Sequence, residues 1–217
     1  MYLQVYIFER ILYMKFPFFA SFIVFCIWLG YELHKHRNQE AKANEEFWKK
    51  EAAANATRRK SLDELDYIKI PFESLPMDVL CDDPQIVEYH ETLNELAGKP
   101  IVNLTGISNT DLKLKYGAPN IDLLSRYDQH YTLLVRTLQA WAEALHKNGY
   151  LEEAQQILEF AVKTRTDLSS SYRLLSSIYL EQKKPEKIRQ LIPIAQELNS
   201  TLKGRIIDML KERCQTD

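Results

Sequence analysis

The 217-residue chain carries 28 Lys and Arg against 30 Asp and Glu, a formal net charge of −2. That balance lacks the basic footprint of a nucleic-acid-binding domain, so no nucleic-acid partner is expected. Its three cysteines include Cys26 inside an apolar run and supply neither a disulfide framework nor a zinc set.

The apolar run is Phe16–Tyr31, which has no charged residue. Extended back to Ile11 it reaches 21 residues with one charge, Lys15, close to the roughly 20 that a bilayer helix needs. Lys15 can snorkel to the interface, and Trp28 and Tyr31 suit an interfacial aromatic belt. No small-x-small cleavage site follows; the run leads directly into Glu32-Leu33-His34-Lys35. The expectation is therefore an uncleaved transmembrane anchor over 16–33, preceded by an N-terminal extension over 1–15. Met14-Lys15 reads as the more natural opening of such an anchor, which would make residues 1–13 an upstream extension. Lys35, Arg37, Lys42, Lys49 and Lys50 outnumber Arg10 and Lys15 on the other flank, so a single-pass protein with its C-terminal domain in the cytoplasm is expected.

Residues 34–60 read as a charged helical stalk. The stretch has no Gly or Pro, it holds Ala52-Ala53-Ala54, and Glu45/Lys49 and Glu46/Lys50 sit at the favourable i,i+4 spacing. Phe47-Trp48 is its one apolar spot, expected to dock on the domain or on a second stalk. His34-x-His36 reads as an interfacial pair, not a metal site. Arg58-Arg59-Lys60-Ser61 reads as solvated linker, not as a kinase site. Asn55, Asn103 and Asn199 each begin a glycosylation tripeptide, which a cytoplasmic domain would leave unused.

Residues 61–120 form an irregular lead-in with α and β character. Tyr67–Pro71 and Pro100–Leu104 read as short extended pieces that can pair. Asp83-Pro84 opens a helix with Ile86, Tyr89, Leu93 and Leu96 on its apolar stripe. Asn109-Thr110-Asp111 is placed to cap a short helix to Tyr116, stopped by Gly117 and Pro119, and Asn120 to cap the next. From there Leu124, Tyr127, Tyr131, Leu134, Leu138, Trp141 and Leu145 keep 3-4 spacing, so one long helix is expected from about Ile121.

The rest, within 121–217, repeats itself. Leu138, Trp141, Leu145, Leu151, Ala154, Leu158 and Ala161 are followed 34 residues later by Tyr172, Leu175, Tyr179, Pro185, Ile188, Ile192 and Ala195. Gly149 breaks the first copy into two helices, and Lys183-Lys184-Pro185 breaks the second. Ser200 is expected to cap a last helix through Ile206, Ile207, Met209 and Leu210.

With Trp141, Ala142, Leu145, Gly149, Leu151, Ala154, Leu158 and Ala161, and then Leu175, Ser176, Tyr179, Ile188, Ile192 and Ala195, this region resembles the tetratricopeptide repeat family. Two departures stand out: Thr166 replaces the repeat-ending proline, and Lys183 stands where glycine is usual. The resemblance implies a solenoid of about two TPR-like hairpins with a capping helix; with the transmembrane helix, the stalk and the small irregular α/β lead-in, the expected chain is mainly α. The resemblance also implies a groove lined by the first helix of each hairpin. In that register Arg136, Gln139, Glu143 and His146 face the groove from the first copy, and Ser170, Arg173, Ser177 and Leu180 from the second. The chaperone-binding members of the family use Lys and Asn at such positions, and no asparagine stands here.

No glycine-rich phosphate loop, H-E-x-x-H, C-x-x-C or G-x-S-x-G occurs. No catalytic residue, metal ligand or cofactor is assigned. The expectation is a membrane-anchored adaptor or scaffold whose groove holds a protein or peptide through Arg136, Gln139, Glu143, Arg173 and Ser177. The alternatives are a structural subunit self-associating through the stalk, and an enzyme with a site in 61–120.

Overall fold

The computed structural model describes residues 2–215, and of residues 2–18 and 38 only the course of the backbone. The chain is mainly helical, and two compact units emerge, Met1–Ala53 and Ala54–Asp217.

The first unit is a single helix, α1 (Tyr2–Asn55), whose last two residues enter the second unit. Glu45 and Lys49 pair along it at 2.6 Å. Phe47 and Trp48 stand exposed and pack edge to face on each other at 5.4 Å. Among the described residues no helix is long and apolar enough to cross a membrane. The physical reason is length: Phe19–Tyr31 is a 13-residue uncharged run, about 20 Å at the helical rise, against a hydrocarbon core of about 30 Å. The rest of the expected span, residues 11–18, lies outside the described side chains, as do the extension and the Met14 start.

The expected stalk extends to Lys60, but α1 stops at Asn55. The next residues are not free linker. Thr57 O accepts from the Ala118 amide at 3.1 Å and the Lys60 amide donates to Tyr116 O at 3.0 Å. Gly117 makes this approach possible, since a Cβ there would lie 2.2 Å from Arg58 O.

The lead-in contains two helices, α2 (Pro84–Ala97) and α3 (Asn109–Tyr116). Asp83 caps α2 as expected, its Oδ1 accepting from the Gln85 and Ile86 amides. For α3 the cap is Ser108, one residue before the expected group; its Oγ accepts from the Asp111 amide and donates to the Asp111 carboxylate. The two extended pieces meet at a single antiparallel bridge, Tyr67 to Val102, with the Ile68 amide donating to Ile101 O at 2.9 Å. The α/β lead-in is thus helical with one bridge. The alternation is too short for a ladder, because Pro71 ends one piece and Tyr127 O takes the Val102 amide of the other.

Five helices follow: α4 (Ile121–Lys147), α5 (Leu151–Lys163), α6 (Ser169–Glu181), α7 (Pro185–Gln196) and α8 (Lys203–Cys214). The unbroken 3-4 stripe gives α4 its full length, starting at Ile121 as expected. Asn120 does not cap it by side chain; its Nδ2 donates to Lys60 O and Tyr116 O, tying the strap to the corner. Ser200 likewise does not cap α8. Its hydroxyl donates to Asp167 and accepts from the Leu202 amide in the turn before the helix.

Helix starts recur at a fixed interval: α5 to α7 is 185 − 151 = 34, and α6 to α8 is 203 − 169 = 34. Ile206 and Leu210 of α8 are fully buried, at the positions that Tyr172 and Ser176 hold in α6 and Leu138 and Ala142 in α4. The two inter-helix turns match in detail. Tyr150 N–H donates to Leu145 O at 3.0 Å, and Lys184 N–H to Tyr179 O at 2.8 Å. Between them Gly149 has φ +87 and Lys183 φ +57, the left-handed residue such a turn requires. A lysine pays conformational strain there that glycine does not. Lys183→Gly is therefore expected to stabilise the unit by about 0.5–1 kcal/mol, strain relief less the entropy of an added glycine. A urea midpoint that rises at unchanged slope is the check.

One core runs through this unit. Leu134, Leu138, Trp141 and Leu145 of α4 meet Ile157, Leu158 and Ala161 of α5, then Tyr172 and Leu175 of α6. α2 adds Ile86, Leu93 and Leu96, and His90 packs edge-on to Trp141 at 4.8 Å. A smaller cluster of Leu65, Val102, Leu104, Leu112, Tyr116 and Leu124 closes the lead-in end. Asn103 bolts the two regions together. Its Nδ2 donates to Tyr131 Oη, Thr164 O and Arg165 O, and its Oδ1 accepts from the Thr105 amide. That nitrogen is fully engaged, so of the three tripeptide asparagines this one is structural.

Candidate partner-binding face

The residues singled out from sequence lie on α4 and α6, and the structure sorts them into two kinds. Arg136, Glu143 and Arg173 are exposed. Gln139 is only 7% exposed and is not a free groove residue. Its Oε1 accepts from Ser171 Oγ at 2.6 Å and its Nε2 donates to Glu143 at 2.6 Å. It therefore joins α4 to α6. Its place on the helix explains this, for Gln139 lies between the core stripe and the exposed face, where α6 packs alongside. Ser177 is half-buried and accepts from Arg213 Nη1 at 2.7 Å, joining α6 to α8.

Arg213 is the residue that reading the sequence missed. Continuing the 34-residue interval past α6 makes the last helix another first-type helix, but it sets Arg213 at the core position of Tyr179 and Leu145, so only the structure brings its guanidinium to Ser177. His146, also expected here, is half-buried and lies 3.3 Å from Glu181. Ser170 is exposed and Leu180 half-buried on α6.

The face is polar but not charge-balanced. Glu143 is held by Gln139, and Glu181 by His146. Arg136, Arg173 and Arg213 have no carboxylate within ion-pair distance among the described residues. Burial, and then the charge of Arg173, hold the Arg213 guanidinium below its ordinary value. Two guanidiniums thus share one patch around Ser177. Guanidiniums arranged in this way can donate to anionic or carbonyl oxygens.

No protein family, curated protein or solved structure matches this chain. The reading of its surface therefore rests on its own side chains.

Two other features bear on that reading. A cleft of about 470 Å³ opens between the lead-in pieces and the loops after α5 and α7, lined by Lys69, Asn103, Lys163, Arg165, Asp167 and Glu197 among others. Its charges are largely self-compensated, with Arg165 paired to Glu197 at 3.5 Å. Among the described residues no cluster of three or more metal-binding side chains exists.

On the second helices, Glu159 organises a polar network. It accepts from Tyr179 Oη at 2.7 Å, lies 3.2 Å from Lys187 Nζ, and is one turn from Gln155. Burial raises its pKa, but hydrogen bonds from Tyr179, Gln155 and Lys187 outweigh that and hold it below the usual carboxylate value. A carboxylate depressed in the folded state stabilises above its unfolded pKa and loses that stabilisation as pH falls through its folded one. Glu159→Gln is expected to cost about 0.5–1 kcal/mol at pH 7, a small figure because the group is part-exposed. The difference from the parent should shrink as pH falls below the unfolded carboxylate value and through the lower folded one, and denaturation midpoints followed from pH 7 downward measure it.

Proposed function

We propose that this protein is a membrane-tethered interaction module of the tetratricopeptide-repeat type, whose first-helix face holds a peptide or partner helix. The observation that carries it is the row α4, α6, α8. Each helix is hydrogen-bonded to the next through Gln139–Ser171 and Ser177–Arg213, and the row presents arginines with no ion-paired carboxylate among the described residues. A rigid face with uncompensated donors suits recognition of acceptor groups on another chain.

The tether is α1. Its uncharged segment Phe19–Tyr31 exposes Phe22, Phe25, Ile27 and Trp28, and residues 11–18 add the apolar length a bilayer span requires. Anchoring raises the effective concentration of a modest groove toward other membrane-bound chains. The cationic flank after Tyr31 favours a cytoplasmic C-terminal unit.

The test is in-cell photo-crosslinking from Arg136 and Arg173, with a control probe at the exposed Gln156 of α5. One partner captured from both face positions and not from the control supports the module. Equal capture from all three, or none from the two face positions, removes it. Alkaline carbonate washing tests the tether, which is lost if the full chain washes off membranes. Self-association through α1 is the second reading, favoured by the exposed Phe47–Trp48 pair. A detergent-solubilised mass independent of concentration would end that reading.

A further inference from the structure

The arginine patch says more about the partner than that it carries acceptors. Arg173 and Ser177 are one helical turn apart on α6, and Arg213 reaches over from α8 to donate to Ser177 Oγ. Arg173 is exposed and Arg213 half-buried, so the site is open on one side and walled on the other. Two carboxylates of the same row are engaged elsewhere, Glu143 with Gln139 and Glu181 with His146, and Asp208 and Glu212 of α8 form no ion pair with Arg173 or Arg213 among the described residues. Two like charges are therefore held together with no ion-paired carboxylate among the described residues. Such a pair is stabilised by an external anion. A carboxylate would neutralise only one. A phosphomonoester carries about −1.5 to −2 charges at pH 7 and three acceptor oxygens. The patch supplies three donors to match: two guanidiniums, and the Ser177 hydroxyl, which accepts from Arg213 and keeps its own proton to donate.

We infer that Arg173, Ser177 and Arg213 form a phosphate-recognition site, and that the partner docking on the first-helix face carries a phosphorylated serine or threonine. This rests on the reading of that face as a docking surface. It makes binding conditional on the partner's phosphorylation state, with the arginines reading the modification.

The test uses the full chain in detergent micelles and three fluorescent peptide pools of degenerate sequence, with a central phosphoserine, a central serine or a central aspartate. Anisotropy titrations should show the phosphoserine pool binding about tenfold tighter than either other pool. Arg173→Ala and Arg213→Ala should each bring it down to the serine pool, and Arg213→Lys should recover only part, since an ammonium lacks the planar fork. Arg136→Ala should weaken all pools equally. If the serine and phosphoserine pools bind alike, the phosphate site is wrong while the docking face survives. If no pool binds, both readings fall. Vesicles containing phosphatidic acid that bind through Arg173 and Arg213 more tightly than the phosphoserine pool would overturn the peptide assignment in favour of a lipid headgroup.

Discussion

Trp141→Ala is expected to lower the stability of the C-terminal unit by about 3–5 kcal/mol, the range for deleting a large aromatic from a packed core. Trp141 is fully buried where α2, α4 and α5 meet, with the His90 ring edge-on against it. No neighbour replaces that volume without moving a helix. Its indole N–H is buried without an acceptor, as is His90 Nε2. The loss is therefore one of packing, with no hydrogen bond in it, and this gives the prediction a second arm. Trp141→Phe keeps most of the ring and removes an unsatisfied donor, so it should cost no more than about 1–2 kcal/mol. Equilibrium urea unfolding of both variants decides the matter. A Trp141→Ala loss below about 1 kcal/mol would mean that α2 does not close over α4 as described.

Gly106→Ala should be nearly as damaging, by a different route. Gly106 has φ +77, and a Cβ there would sit 1.8 Å from the carbonyl oxygen of Asn199. The nearest obstacle, like the carbonyl carbon at 2.8 Å, is backbone, so no side-chain rotation relieves it. A loss of about 3 kcal/mol or more is expected from the clash and the left-handed strain together. Gly98→Ala and Gly204→Ala are the controls, since nothing lies within 4 Å of a Cβ at either position. Gly204 lies in α8, where alanine should be neutral or better by up to about 1 kcal/mol. Limited proteolysis offers an independent readout, because Gly106→Ala should expose the 103–107 segment to cleavage before the helices unfold.

The helices were legible because each announces itself locally. The stripe from Leu124 to Leu145 runs unbroken, Asp83-Pro84 is a strong opening signal, and Gly149 and Lys183 fall at matching turns. Caps were less legible. Ser108, Asn120 and Ser200 all belong to residue types that cap, and sequence alone could not say that Asn120 would turn back to Lys60 O or Ser200 to Asp167. Those choices are made by segments distant in the chain.

The same holds for the candidate face. Arg136 and Arg173 could be placed outward by periodicity, whereas Gln139 sits at the margin of the stripe. Only the arrival of Ser171 from the next helix decides that it is an inter-helix tie. The strap over 57–60 could not be read at all. Its sequence, Thr-Arg-Arg-Lys, has the composition of solvated linker, and what holds it is backbone bonding to the corner at Tyr116 and Ala118.

The bolt at Asn103 sets an order of events when the chain is made. Asn103 is separated by 61 residues from Thr164, whose carbonyl it bonds, and Gly106 nests against Asn199, farther along still. A ribosome releases residues at about 5–20 per second, so the lead-in waits on the order of ten seconds before its docking surfaces exist. During that interval Val102 and Leu104 can join Leu112, Tyr116 and Leu124, which are close in sequence, but the Asn103 amide lacks its Thr164 and Arg165 carbonyls. The lead-in therefore locks in two steps, first at Asn103 and then at Gly106. A chain cut short after α7 would have Asn103 seated and Gly106 still without its Asn199 neighbour.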